Sequence, residues 1–183
     1  YVGTGQIGEW AAFETASYAF VLAEAERRRH RKAIRELCAI GPPPHEFWGM
    51  VVERKWITRF VGVVRGMSLW KFTRITLGGP EASIFDLPNI LQSQLVTPKV
   101  MWQELMGVNL IKTAPALQMP IFFFLGRHDR VVTVETSVAY FKVLQAPSKT
   151  LIWFEGSGHE PPAEEPDKFN ALMVDLVRSV TLA

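Results

Sequence analysis

The segment after Pro120 constrains the fold of this chain more than any other feature. Five consecutive apolar residues, I-F-F-F-L at positions 121–125, run from that proline to Gly126. A strand that is apolar at every position is buried on both faces, which is typical of a parallel sheet covered by helices on both sides. The run therefore predicts a central strand of an α/β domain.

The residues after this run alternate between helical and strand patterns. Val134, Val138, Phe141 and Leu144 recur at the spacing of a helix, and residues 149–154 form a second β-rich run. A final amphipathic helix is predicted from apolar residues at helical spacing: Phe169, Leu172, Met173, Leu176, Val177 and Val180. The order strand, helix, strand, helix predicts an α/β fold with a short parallel sheet and flanking helices.

The first 115 residues are predicted to be mainly helical. Residues 1–6 favour a short strand that ends in a glycine turn, and a long helix follows. After a break at Gly41-Pro42-Pro43-Pro44, residues 46–110 predict a bundle of short helices. The aromatic residues of this bundle favour a packed core, and a cap over a pocket would use the same ones: Phe47, Trp48, Trp56, Phe60, Trp70 and Phe72.

The charge of the chain points to no polyanionic partner. Twenty Lys and Arg against 18 Asp and Glu leave a net charge of +2, so we expect neither nucleic-acid nor membrane binding. The basic run at residues 27–32 is flanked by glutamates, which favours a solvated helix face over a phosphate site. No apolar run approaches the roughly 20 residues of a membrane span.

Cys38 is the single cysteine of the chain. One cysteine excludes an internal disulfide and cannot by itself supply a zinc site, so we expect neither a metal nor a cofactor. Cys38 lies in the apolar stretch 37–40, which predicts a packed core thiol and not a reactive one. This cysteine content is compatible with a cytoplasmic protein, which is our expectation.

Two loops that follow the predicted strands carry titratable residues. They are G-R-H-D-R at positions 126–130 and E-G-S-G-H-E-P at positions 155–161. Functional groups of open α/β sheets lie beyond the carboxyl ends of the strands, and an aspartate there can orient a histidine on the neighbouring strand end. Alone, Asp129 is typical of a turn and His159 of a surface loop. Together they suggest a catalytic acid and base, and we expect a direct hydrogen bond between them.

These loops resemble the end of α/β-hydrolases of the proline iminopeptidase-like group. The resemblance is strongest in G-R-H-D-R-V-V and in E-G-S-G-H-E-P-P-A-E-E-P, within residues 120–166. The opening Y-V-G-T-G-Q resembles the sixth core strand of that group, and the helical middle resembles its inserted lid. The resemblance implies a core strand at 1–6, a lid at 7–115 and a C-terminal core segment at 116–183. It also implies that Asp129 is the triad acid and His159 the general base, with no role as base for His128.

One part of the resembling enzymes is missing from this sequence. They place their nucleophile in G-x-S-x-G before the lid, and that pentapeptide does not occur here. Ser68 lies in G-M-S-L-W, which lacks the second glycine, and Ser157 lies in a small-residue loop that indicates a turn. The oxyanion donors of such enzymes also come from segments outside this sequence.

Three functional hypotheses follow. In the first, the chain is the C-terminal part of a serine hydrolase that cleaves a small ester or peptide by acyl transfer. In the second, it is a non-catalytic binding or assembly module. In the third, it is a small intact enzyme that uses His159 with Ser157 or Ser68.

We also expect a partner for the predicted sheet. A sheet formed by residues 1–4, 121–125 and 149–154 would be only the end of a larger one, and its open edge is a template for pairing. Helix cover is expected to be incomplete over Phe122, Phe123, Phe124, Ile152 and Trp153. The predicted partner is the missing N-terminal hydrolase half or a second copy of the chain.

Overall fold

A parallel three-stranded sheet pairs one strand from the start of the chain with two strands from its C-terminal part. The computed structural model describes residues 1–62, 64, 74, 85 and 87–181. Within them the strands are β1 (Val2–Gly3), β2 (Ile121–Gly126) and β3 (Lys149–Phe154), in the order β1-β2-β3. Val2 pairs with Phe122, and Gly126 pairs with Phe154. Strands β2 and β3 were both predicted from their apolar patterns, and the α/β fold class is confirmed.

Helices connect and follow these strands in the described part of the chain. Six lie between β1 and β2: α1 (Trp10–Arg27), α2 (Arg31–Ile40), α3 (Phe47–Val61), α4 (Leu87–Val100), α5 (Trp102–Met106) and α6 (Leu110–Thr113). We call these six the helical segment. Helix α7 (Val134–Val143) connects β2 to β3. After β3 follow α8 (Pro161–Glu164), α9 (Pro166–Leu172), a π-helical turn (Met173–Val177) and α10 (Arg178–Thr181).

Strand β2 is buried at all six positions, as its apolar run predicts. Successive side chains of a strand point to opposite faces of the sheet. On one face Phe123 packs with Tyr140 and Leu144 at α7, and on the other Phe122 and Phe124 pack against the C-terminal helices. The expectation that Phe122, Phe123 and Phe124 lack helix cover is therefore wrong, because α7 and the C-terminal helices of the same chain cover them.

The C-terminal amphipathic helix is present but interrupted by the π-helical turn. A π turn bonds residue i to i+5 and so shifts the faces of the helix relative to an uninterrupted α-helix. The predicted apolar face still reaches the sheet, since Phe169, Leu172 and Met173 pack around Phe124 and Phe154. The Phe169 ring lies edge-on to that of Phe124, with centroids 5.8 Å apart.

The helical segment has a core of its own between α1, α2 and α3. Its buried members are Tyr18, Val21, Ala25, Ala33, Leu37, Trp56 and Ile57. The residues predicted to share one face of α1 are Trp10, Phe13, Ser17, Phe20, Val21 and Ala25. Four of them are buried, while Trp10 and Phe20 are partly exposed. Of the aromatic residues predicted for the bundle, Phe47 and Trp56 are buried while Trp48 is exposed. Trp70 and Phe72 lie outside the described residues.

The prediction of a packed thiol is wrong, because Cys38 is exposed on α2. The buried residues of that helix are Ala33 and Leu37, four positions apart and therefore on one face. A residue next to Leu37 is turned by about 100° around the helix axis, which carries Cys38 away from the core. The apolar neighbours of Cys38 in sequence therefore do not report its burial.

None of the described helices combines the length and the apolar character that a membrane crossing requires.

Candidate active site

The loops that follow β2 and β3 meet at the carboxyl edge of the sheet. The backbone N–H of Arg127 donates to the carbonyl of Phe154 at 2.9 Å, and the N–H of His128 donates to that of Ser157, also at 2.9 Å. A Cβ at Gly126 would lie only 1.8 Å from the carbonyl oxygen of Gly158, so the contact requires glycine. This approach brings the two predicted site loops side by side.

Asp129 is buried and uses both carboxylate oxygens. Oδ1 accepts the backbone N–H groups of Val131 and Val132, each at 2.9 Å. Oδ2 lies 2.9 Å from Nδ1 of His159. Because a carboxylate only accepts, Nδ1 carries the proton and Nε2 of the neutral ring keeps its lone pair. The expected direct hydrogen bond between the two predicted residues is present.

Two glutamates next to the C-terminal helices, Glu164 and Glu165, hold the His159 loop by hydrogen bonds. Oε2 of Glu165 accepts the N–H of Gly156 at 3.0 Å and the hydroxyl of Ser157 at 2.6 Å. Glu164 accepts the N–H of Gly158. Ser157 is fully buried and donates its hydroxyl to Glu165, which agrees with its interpretation as a turn residue.

Gly5 closes the other side of the Asp129–His159 pair, a contact that the sequence analysis missed. Its φ is +58°, in the left-handed region, and a Cβ there would lie 2.8 Å from Cε1 of His159. The same Cβ would lie 3.4 Å from Oδ2 of Asp129. The available signal was a glycine turn directly after a predicted strand that pairs beside β2. Only a residue without a side chain fits at this place.

Opposing effects set the proton affinity of His159, whose side chain is 23% exposed. Burial by itself lowers the pKa of an imidazole because it disfavours the charged form. The hydrogen bond and the negative charge of Asp129, helped by Glu160, outweigh burial and raise the pKa of His159 above its ordinary value. The positive charge of Arg54 acts in the opposite direction.

A cavity of about 590 Å³ opens beside His159. Its walls come from the end of α1, the end of α3 and the two site loops: Phe20, Glu24, Arg27, Arg28, Phe60, Val61, Gly62, His128, Arg130, Val131, Gly158 and His159. His128 lines this cavity but is exposed, and Asp129 is paired with His159 instead. A substrate group bound in the cavity would therefore meet His159 directly.

Other candidate groups contribute less to this site. Ser68 lies outside the described residues. Within the described ranges, no group of three or more His, Cys, Asp and Glu side chains is arranged to hold a metal ion. The chemistry that the described site supports is thus that of an oriented general base.

Comparison with known proteins relates these loops to hydrolases. The family model described as serine aminopeptidase, S33 matches residues 90–166, a range that contains both Asp129 and His159. The chain is also similar to a probable aminopeptidase, YbaC of Bacillus subtilis (strain 168), with 33% identity over 93 residues. That similarity covers 51% of this chain and 29% of the relative, so the matched part is less than a third of the relative's length.

Proposed function

Starting from a chain related to the α/β-hydrolases, we propose that Asp129 and His159 are the acid and base of a serine hydrolase that acts by acyl transfer. The observation that carries this proposal is the 2.9 Å contact between Oδ2 of Asp129 and Nδ1 of His159, beside a cavity. The pair lies at the carboxyl ends of adjacent parallel strands, where α/β enzymes place their catalytic groups.

The chemistry follows from the protonation of the ring. With its proton on Nδ1, His159 presents a lone pair on Nε2 that accepts the proton of a serine hydroxyl as the oxygen attacks the substrate carbonyl. Asp129 stabilises the imidazolium that forms and holds the ring in one orientation. The proton then passes from Nε2 to the leaving group, and water releases the acyl group by the same route.

We propose that the serine and the oxyanion donors come from an N-terminal hydrolase half outside this sequence. No G-x-S-x-G occurs among the 183 residues, and the hydroxyl of Ser157 is buried and bonded to Glu165. The partial coverage of the YbaC relative is compatible with such a half. The name of that relative favours peptide substrates, and a small peptide or ester is the proposed substrate class.

A non-catalytic binding or assembly module is the second candidate function. Two observations favour it: the sequence lacks the nucleophile motif, and no fourth strand pairs with the sheet in the described part of the chain. In this case the Asp129–His159 pair would survive as a structural tie between two loops. The two candidates differ in whether any serine is activated.

Hydrolysis of p-nitrophenyl acetate and labelling by a fluorophosphonate separate these functions. The chain alone should hydrolyse the ester no faster than its His159→Ala variant, because a base without an aligned serine accelerates little. Co-expression with a second chain that carries G-x-S-x-G and the oxyanion donors should produce both activity and labelling.

The matched control is His128→Ala, which removes an exposed histidine from the same cavity. In the two-chain complex, His159→Ala should abolish hydrolysis and Asp129→Asn should reduce kcat by on the order of 10³-fold or more. His128→Ala should keep kcat near that of the unmodified complex, because His128 lines the cavity without contacting the pair, and its effect should appear in KM. A complex that forms but neither labels nor hydrolyses would favour the assembly module. A large His159-dependent rate in the chain alone would contradict the need for a second half.

A further inference from the structure

Arg54 of helix α3 connects the helical segment to the loop that carries Asp129. Its Nη1 donates to the carbonyl oxygen of Val131 at 2.8 Å, across 77 positions of sequence. Its guanidinium also lies over the ring of Phe13 on α1, 4.7 Å from the ring centroid. Both contacts fix the direction of the side chain, since a planar guanidinium that is stacked and hydrogen-bonded loses its freedom to rotate.

Val131 links this arginine to the proposed catalytic pair. Its carbonyl accepts from Arg54, and its N–H donates to Oδ1 of Asp129 at 2.9 Å. Asp129 in turn holds His159 through Oδ2. Arg54, Val131, Asp129 and His159 thus form one continuous series of hydrogen bonds from α3 to the base.

The helical segment also buries two glutamates, Glu14 and Glu53, whose negative charges attract the guanidinium of Arg54. Glu14 and Glu53 are 2% and 0% exposed, and Nδ1 of His45 lies 3.1 Å from Glu14 and 3.6 Å from Glu53. Burial raises the pKa of Glu53, and the charge of Arg54 opposes that rise. Burial lowers the pKa of Arg54, and the negative charges of Glu53, Glu14 and Asp129 oppose that fall.

We propose that Arg54 is a positioning residue that ties helix α3 to the Asp129 loop and places a fixed positive charge beside the Asp129–His159 pair. The contact with Val131 holds the loop in the form that aims Asp129 at the imidazole. A fixed positive charge near the pair disfavours the imidazolium of His159. This role rests on the proposed function only for its effect on the rate of hydrolysis, because the proton affinity of His159 can be measured without any reaction.

The other charged residues around His159 are not substituted in the variants needed for the test. Asp129 acts from the loop after β2 and Glu160 from the loop of His159 itself. The cavity adds Glu24, Arg27 and Arg28 from α1, and His128 and Arg130 from the Asp129 loop. A change in the titration of His159 on replacing Arg54 therefore reports the removal of the guanidinium.

The test is an NMR titration of the His159 Cε1 proton, assigned by its loss in His159→Gln. In Arg54→Met the midpoint should rise, because a nearby positive charge is gone while the N–H groups of Val131 and Val132 still hold Asp129. In Arg54→Lys, which keeps the charge, the midpoint should lie closer to that of the unmodified protein. The matched control is Arg59→Met, which removes an exposed arginine from the same helix and should leave the midpoint unchanged.

In the two-chain complex, Arg54→Met should lower kcat with little change in KM and move the acid limb of the pH profile upward. A folded Arg54→Met protein whose His159 midpoint equals the unmodified one would overturn the proposal. If that variant does not fold, Arg54→Gln replaces it, and a midpoint equal to that of Arg54→Lys overturns the proposal equally. A shifted midpoint in a complex that never hydrolyses would support Arg54 while contradicting the proposed hydrolase.

Discussion

Asp129 performs two tasks with one carboxylate. Its Oδ1 accepts two backbone N–H groups of the turn that follows, and its Oδ2 orients His159. From the sequence, a turn residue and a triad acid were alternative interpretations of this position. The structure combines them, because an aspartate bonded to its own turn is already fixed in direction and can hold a ring on the neighbouring loop.

The raised pKa of His159 makes its contribution to stability depend on pH. Although burial lowers this pKa, Asp129 and Glu160 raise it overall, so the folded protein binds the proton more tightly than the unfolded chain. That contribution is fully present below the unfolded value, near 6.5, and is lost as the pH rises through the folded value. Urea unfolding should therefore show the stability advantage over His159→Gln shrinking as the pH rises through this range. An advantage that grows with pH would contradict the raised pKa.

Gly5→Ala should disturb the Asp129–His159 pair more than backbone strain alone explains. A methyl group there would lie 2.8 Å from Cε1 of His159, in addition to the strain of a positive φ, about 1–2 kcal/mol. A control for backbone strain without the contact is Gly41→Ala, where φ is +71° and ψ is −175° but no heavy atom lies within 4 Å of the added carbon. Both variants should lower the thermal unfolding midpoint, but only Gly5→Ala should alter the His159 titration. A His159 titration unchanged in Gly5→Ala would contradict the contact.

At the level of elements, the site depends on how the C-terminal helices dock on the sheet. Phe169 packs on Phe124 and Phe154, while Glu164 at the end of α8 and Glu165 just before α9 hold the His159 loop. One docking interface therefore both covers the sheet and positions the base.

Phe124→Ala should destabilise the protein by about 3–5 kcal/mol, because it leaves a cavity between β2 and the C-terminal helices. Phe124 on β2 is fully buried, whereas Val174 in the π-helical turn of the C-terminal helices is 56% exposed. Val174→Ala should therefore change the free energy of unfolding by less than about 0.5 kcal/mol. Chemical denaturation of the two variants measures this contrast, and similar losses would mean that the helices do not pack on β2 as described.

At the scale of the whole molecule, the two outer edges of the sheet are the feature that bears on association. In the described part of the chain β1 and β3 are the outer strands, and each leaves one backbone edge without a strand partner. Because Phe122, Phe123 and Phe124 are covered within the chain, the predicted association now depends on these backbone edges and not on exposed aromatic area.

We expect the purified chain to associate, either with a second copy or with an N-terminal hydrolase half. Light scattering at low micromolar concentration should give a mass above that of one chain, 20.7 kDa. A stable monomer without a copurifying polypeptide would contradict this expectation. In that case we would expect residues of the helical segment to cover the outer edges of the sheet.

The sequence by itself determined the strands, the main helices and the two residues of the pair. Burial leaves a periodic apolar pattern within each element, which is why β2, β3, α1 and α7 were predictable. The adjacency of Asp129 and His159 was predictable because parallel strands end at the same edge of a sheet. These are local signals, carried by neighbouring residues or by topology alone.

Only the tertiary structure decided which distant residues support that pair. Three such contacts are those of Gly5 with His159, Glu165 with Ser157 and Arg54 with Val131. The first and third join segments far apart in sequence, and the second depends on how the loop after β3 turns. The exposure of Cys38 was likewise settled by which face of α2 meets the core. The physical reason is that such contacts depend on how elements pack and rotate against one another, and the local pattern of a single sequence does not specify that packing.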